Sequence, residues 1–197
     1  MGKIEKMEAR TAQGLSRRGF LKASGGVGVG LALGWHLGVL PGEAQAATTA
    51  EPAMVNPFVI IAPDGSVTVL SKHLDMGQGT ASGLATLVAE EMGAAWAQMR
   101  LDFAPADSTK YNNLFFGTLQ GTGGSTAMAN SWEQYRKAGA AARMMLASAA
   151  AKEWGVPVGE VTVADGKISH ASGKSAGFGD FAAKAAAEPV PTEIALK

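Results

Sequence analysis

The run Phe58-Val59-Ile60-Ile61-Ala62-Pro63-Asp64-Gly65-Ser66-Val67-Thr68-Val69-Leu70, continued by Ser71-Lys72-His73-Leu74-Asp75-Met76-Gly77-Gln78-Gly79-Thr80, decides the fold class. Phe58–Ile61 and Val67–Leu70 are rich in β-branched residues and flank Pro63-Asp64-Gly65, which predicts a hairpin. A polar, glycine-bearing loop follows at Asp75–Thr80. Leu84, Leu87, Val88, Met92 and Ala95 then recur at helical spacing and predict an amphipathic helix over residues 81–94. Met99 to Ala104 alternates as a short strand.

Residues 105–128 are rich in turn formers and glycine. Ser131 with Gln134 three positions later matches a capping box. It predicts a long helix on which Trp132, Tyr135, Gly139, Ala142, Leu146 and Ala149 fall three and four apart. Val161-Thr162-Val163 and Lys167-Ile168-Ser169 flank Asp165-Gly166, a second hairpin signal. A short helix is expected near residues 178–187, before Pro189-Val190-Pro191. Strands paired locally and separated by helices give an α+β fold, with β-hairpins packed against amphipathic helices. The small, polar residues 47–56 read as a linker.

The 197 residues hold 17 Lys+Arg, 17 Asp+Glu and no cysteine. Without cysteine this chain forms no disulfide, thiolate zinc site, thiolate-held iron–sulfur cluster or cysteine nucleophile. The zero net charge hides an asymmetry: residues 1–46 carry 6 basic and 3 acidic side chains, the remainder 11 and 14. A mildly acidic body lacks the basic face that phosphate neutralisation needs, so no nucleic-acid partner is expected.

The basic N-terminus has three parts. Ser16-Arg17-Arg18-Gly19-Phe20-Leu21-Lys22 matches the twin-arginine export signal, Ala23–Leu40 is uncharged, and Ala44-Gln45-Ala46 fits a signal-peptidase site. Residues 1–46 are therefore read as a twin-arginine signal peptide and the mature chain as periplasmic, with membrane association open. An uncleaved anchor or a loose basic tail are the other readings. The uncharged stretch holds six glycines and His36, which makes it a poor membrane span.

Two glycine loops carry the candidate chemistry. In Asp75–Thr80, Gly77 and Gly79 enclose Gln78 between a strand and a helix N-terminus, where backbone N–H groups can meet an anion. In Gln120-Gly121-Thr122-Gly123-Gly124-Ser125-Thr126, glycines allow close approach to the main chain and Ser125 and Thr126 add hydroxyls. Neither has the lysine of a P-loop or the context of a dinucleotide fold. Either loop alone is also readable as an ordinary turn. Of the remaining residues, His73 and His170 read as surface or loop histidines, Glu90-Glu91 as a solvated helix face and Met144-Met145 as core filling. Asp107, Tyr111 and Asn112 are candidates for a pocket mouth.

Taken in order, Asn56-Pro57-Phe58, Lys72 to Gly79, Ala89-Glu90-Glu91-Met92, Tyr111-Asn112-Asn113, Gln120 to Thr126 and Asn130-Ser131 resemble one family. It is the molybdopterin-binding large subunit of the xanthine dehydrogenase/aldehyde oxidase superfamily, of the isoquinoline 1-oxidoreductase β-subunit type. The resemblance implies that residues 57–197 are a partial, C-terminally truncated molybdopterin-binding domain. It implies that Gly77, Gln78, Gly79, Gly123, Gly124, Ser125 and Thr126 contact a molybdenum-bearing molybdopterin, in dinucleotide form. It further implies hydroxylation of aldehydes or N-heteroaromatics with water as the oxygen source. The implied partners are the remainder of the large subunit, a small subunit with two [2Fe–2S] clusters, and cytochrome c as a candidate electron acceptor. The family's catalytic glutamate lies in a motif that this sequence does not contain, so no catalytic residue and no metal ligand are nominated. The rival expectation is a non-catalytic α+β binding or interaction domain, or a truncated pseudoenzyme remnant.

Overall fold

The computed structural model describes residues 51–197; the export-signal reading falls outside them. Strands β1 (Ala53–Asn56), β2 (Val59–Ile61) and β3 (Val67–Ser71) form an antiparallel meander. Helix α1 (Thr80–Met92) then crosses over, and β4 (Met99–Phe103) pairs parallel to β3, giving the order β1-β2-β3-β4. After the short α2 (Ser108–Tyr111) and the 28-residue α3 (Ala127–Trp154), strands β5 (Val161–Ala164), β6 (Lys167–His170) and β7 (Ser175–Gly177) make a second antiparallel sheet. Helix α4 (Phe178–Ala186) follows. The α+β class expected from the sequence is the observed one.

Both anticipated hairpins form at their turn residues. Ala62 N donates to Ser66 O and Asp64 Oδ1 accepts from Ser66 N, with Gly65 closing the loop. Asp165 and Gly166 both take positive φ (49° and 72°), the pattern of a tight turn matched to strand twist. Val59, Ile61, Val67 and Val69 are fully buried beneath α1, where Leu84, Val88 and Met92 point inward at helical spacing. Tyr135, Met145 and Leu146 of α3 join the same core. The alanine-rich α3 lies close to α1: a Cβ at Gly139 would sit 2.6 Å from Val88 O and 3.0 Å from its Cα. The contact exists because position 139 has no side chain.

Several expectations need correction. Residues 53–56 are not linker but β1, and Asn56 is buried, its Nδ2 donating to Ala138 O at 3.0 Å. The first helix stops at Met92 because Gly93 takes the left-handed conformation (φ 72°) that caps it. Strand β4 buries only Met99; its pairing with β3, not alternation, makes it a strand. Ser131 and Gln134 do not cap α3, which begins four residues earlier at Ala127. Ser131 is buried within the helix, and Trp132 faces solvent at 52 % exposure. Glu91 is not solvated: it is 1 % exposed and accepts from Arg136 Nε at 2.6 Å and from Lys197 N at 2.9 Å. Met145 is core, as expected, while Met144 is half-buried.

Candidate functional site: a groove between two glycine loops

Strands β3 and β4 run parallel and end at the same edge, the usual position for a site in a strand–helix–strand unit. The Asp75–Gly79 loop leaves β3 there to enter α1. The 120–126 loop comes to the same edge before α3. Leu74 N donates to Thr122 Oγ1 at 2.9 Å and joins the two. Between them opens a groove of about 520 Å³, lined by Met76, Gln78, Thr80, Thr122, Gly123, Ser125, Thr126, Ala127 and Met128.

Of the seven nominated residues, Gln78, Gly123, Ser125 and Thr126 line this groove. Gly77, Gly79 and Gly124 do not line it but shape it, with φ of 105°, 80° and 59°. Ser125 is also left-handed (φ 54°), an uncommon state for a residue with a Cβ. A Cβ built at Gly77 or Gly123 meets nothing within 4 Å, so a ligand can approach the backbone there.

The side chains of the first loop are largely committed to the loop itself. Gln78 Oε1 accepts from Met76 N at 2.6 Å and its Nε2 donates to Leu74 O at 2.8 Å. Asp75 accepts from Gly77 N (2.9 Å), Gly79 N (3.2 Å) and Ala81 N (2.8 Å), which holds its carboxyl below the usual range. Asp75 thus takes up two donors at the N-terminal end of α1, the Gly79 and Ala81 N–H groups. Like α1, helix α3 has an N-cap residue, Thr126, without a capping side-chain bond and no acid in its first turn; it differs in having no loop carboxylate bonded to its first N–H groups. The Thr126 hydroxyl instead donates to Gly123 O (2.8 Å) and accepts from Asn113 Nδ2 (2.9 Å).

A buried polar layer beneath the groove was missed in the sequence. His73 is no surface histidine: it is 1 % exposed, with Nε2 3.1 Å from Ser131 Oγ and 3.3 Å from Asn130 Nδ2, and Nδ1 3.5 Å from Thr122 Oγ1. Asn113, fully buried, donates to Gly121 O at 3.1 Å as well as to Thr126. Lys72, 4 % exposed, donates from Nζ to Gln134 Oε1 at 2.6 Å, and burial lowers its pKa to about 8. Tyr135 OH accepts from Lys72 N and donates to Leu70 O, and burial raises its pKa. The signal available in the sequence was the polar cluster Asn130-Ser131, which helical spacing sets beside Tyr135 on the inner face of α3.

The other tentative residues are structural. Asp107 caps α2 through Thr109 N at 3.1 Å, Tyr111 OH donates to Pro57 O at 2.8 Å, and Asn112 Nδ2 donates to Gly117 O at 2.6 Å. None of the three lines the groove. His170 is bonded to Glu160 and Ser172, away from the site. Among the described residues no cluster of three or more His, Asp or Glu is placed to hold a metal, and no helix is long and apolar enough to cross a membrane.

Two glycine loops meeting a helix N-terminus without a side-chain cap make a geometry suited to an anionic group. The chain belongs to the molybdopterin cofactor-binding domain family, whose model matches residues 3–196. It is 33 % identical over 170 residues to isoquinoline 1-oxidoreductase subunit beta of Brevundimonas diminuta, covering 86 % of this chain and 22 % of that protein. It is 34 % identical over 184 residues to a membrane-bound aldehyde dehydrogenase (pyrroloquinoline-quinone) of Gluconacetobacter polyoxogenes, covering 89 % and 22 %. Quinoline 2-oxidoreductase from Pseudomonas putida 86 superposes with a TM-score of 0.46 at 18 % identity, over 64 % of this chain and 15 % of that one. The chain therefore spans about a fifth of the length of these curated relatives.

Proposed function

We propose that the groove holds the phosphate-bearing end of a molybdopterin cofactor, in dinucleotide form, within the large subunit of a molybdenum hydroxylase. The observation that carries this is the bare N-terminus of α3, with its unpaired donors and no nearby acid, opening beside Gly123 and Gly124. The donor set fits such a group: backbone N–H at 123–125, the exposed Ser125 and open space above Gly77 and Gly123. Gly77 and Gly79 shape the opposite wall, and Gln78 both lines it and braces its loop.

When bound, the cofactor supplies two-electron chemistry at molybdenum, oxidising an aldehyde or an N-heteroaromatic carbon with oxygen from water. This chain's own residues bind and orient. It has no cysteine to hold a cluster, so a small two-cluster [2Fe–2S] subunit would carry the electrons away, with cytochrome c as a downstream acceptor. Export by the twin-arginine route to the periplasm belongs to the same reading, since that route carries proteins already folded around a cofactor.

A second reading, a non-catalytic binding domain with self-supporting turns, draws on the internal bonds of Gln78, Asp75 and Thr126. Molybdenum and pterin analysis of the complex purified from its own host separates the two. Stoichiometric molybdenum and pterin support the first; a folded complex without either supports the second. The same sample assayed for pyrroloquinoline quinone tests the group that one relative's name carries.

A further inference from the structure

The buried ring of His73 sits where three segments meet: the end of β3, the 120–126 loop and the first turns of α3. Its protonation state follows from its neighbours. Asn130 Nδ2 donates to Thr126 O at 2.7 Å, and Asn130 Oδ1 faces Leu114 N at 3.4 Å, so the amide orientation is fixed. The same N–H₂ group faces His73 Nε2 at 3.3 Å, which favours the tautomer that accepts there, with Ser131 Oγ at 3.1 Å as the other group beside Nε2. The ring proton then lies on Nδ1, toward Gly121 and Thr122.

A second proton would have to go on Nε2, directly opposite the Asn130 donor. Turning the amide to accept it would break the Asn130 side-chain bond to Thr126 O, leaving the Asn130 backbone N–H on that carbonyl; the alternative is for Ser131 Oγ, 3.1 Å from Nε2, to turn and accept it. The charged group facing the ring is Lys72, the preceding residue in the segment that leaves β3. From α3 it meets Asn130 and Ser131, and from the loop Gly121 and Thr122; none is an acid. Asp75, two residues on, is turned to the N–H groups of the α1 end. Burial and the Lys72 ammonium lower the imidazole from its ordinary value of 6.5, outweighing the opposing bonds to Asn130 and Gly121.

We infer that His73 is the positioning residue of the groove, a latch that sets the spacing of the two loops only while its ring is neutral. This rests on the groove being the cofactor site proposed above. The latched ring binds fewer protons than the released one. Latching is therefore complete above pH 6.5 and weakens as the pH falls from 6.5 toward the depressed value.

The test is amide hydrogen exchange of the full chain between pH 8 and pH 5, corrected for intrinsic rates. In the native protein, protection of residues 113–126 should start to fall near pH 6.5, by about tenfold for each unit by which the latched pKa lies below the free one. Leu84–Met92 should keep its protection. In His73→Gln the loop should show no such step. An equal step in His73→Gln, or none in the native protein, overturns the inference. Should the variant not fold, NMR titration of the native ring decides: titration at or above 6.5 with no coincident loop change overturns it. Failure to find molybdenum or pterin leaves these profiles untouched and sinks only the cofactor reading.

Discussion

The amide of Leu74 and the hydroxyl of Thr122 are 2.9 Å apart, and this bond ties the loop that leaves β3 to the loop that enters α3. The two loops are 48 positions apart in the sequence, so the groove depends on tertiary bonds of this kind.

Thr122→Val keeps the shape of the side chain and removes the acceptor. The cost should be about 0.5–1.5 kcal/mol of global stability, read from denaturant midpoints. If the groove is the cofactor site, molybdenum occupancy per folded protein should fall more than stability does. Full occupancy in this variant counts against the two-loop site.

Gly139→Ala tests the helix contact. Its new methyl would lie 2.6 Å from Val88 O, and backbone cannot yield as a flexible side chain would. Overpacking of this kind costs about 1–3 kcal/mol. Urea denaturation should show a lower midpoint with an unchanged slope.

Arg136→Ala removes the cation bonded to Glu91, leaving a carboxylate at 1 % exposure with the Lys197 amide as its remaining donor. The Arg136 side chain is 26 % exposed, so the loss should be about 2–3 kcal/mol, at or below the range for fully buried pairs. Glu91→Gln in the same chain should recover part of it. A double variant less stable than Arg136→Ala alone would contradict this.

Lys72 has its pKa lowered from 10.5 to about 8, so the folded chain releases this proton before the unfolded one does. Between pH 8 and 10.5 the unfolded state binds more protons, and stability from this residue rises with pH. Below pH 8 the burial penalty is fully present, on the order of 3 kcal/mol. Thermal melts should show this rise in the native protein and its absence in Lys72→Met, which should also be the more stable of the two at pH 7.

Arg17→Lys combined with Arg18→Lys preserves charge while removing the paired arginines. If residues 16–22 direct export, precursor should accumulate in the cytoplasm, and the native mature N-terminus should fall near Ala46 or Ala47. Equal periplasmic yield from both forms would remove the export reading.

Much of the fold was legible because its signals are local. Pro63-Asp64-Gly65 and Asp165-Gly166 fix their turns through backbone conformations within a few residues, and the spacing of Leu84, Val88 and Met92 reads directly as a buried helix face. The parallel pairing of β3 and β4 was not legible, because it depends on the crossover through α1 and not on either strand. The start of α3 was misplaced for a related reason. Ser131 and Gln134 have capping chemistry, but tertiary bonds to His73 and Lys72 claim them. At the site, the sequence located both loops and not their convergence. Gln78 lines the groove as well as bracing its own loop, and His73 was read as a surface histidine because a lone histidine carries no pattern that marks it as buried.

The contrast between the two helix ends makes the groove vectorial. One wall has its donors already answered by the Asp75 carboxylate, while the other offers the bare first turn of α3. If the groove is the cofactor site, a molecule with one charged and one neutral end is favoured with its charge toward Ser125 and its neutral end toward Met76. A rod charged at both ends would bring one of them toward Asp75 and gain less from the second charge than from the first.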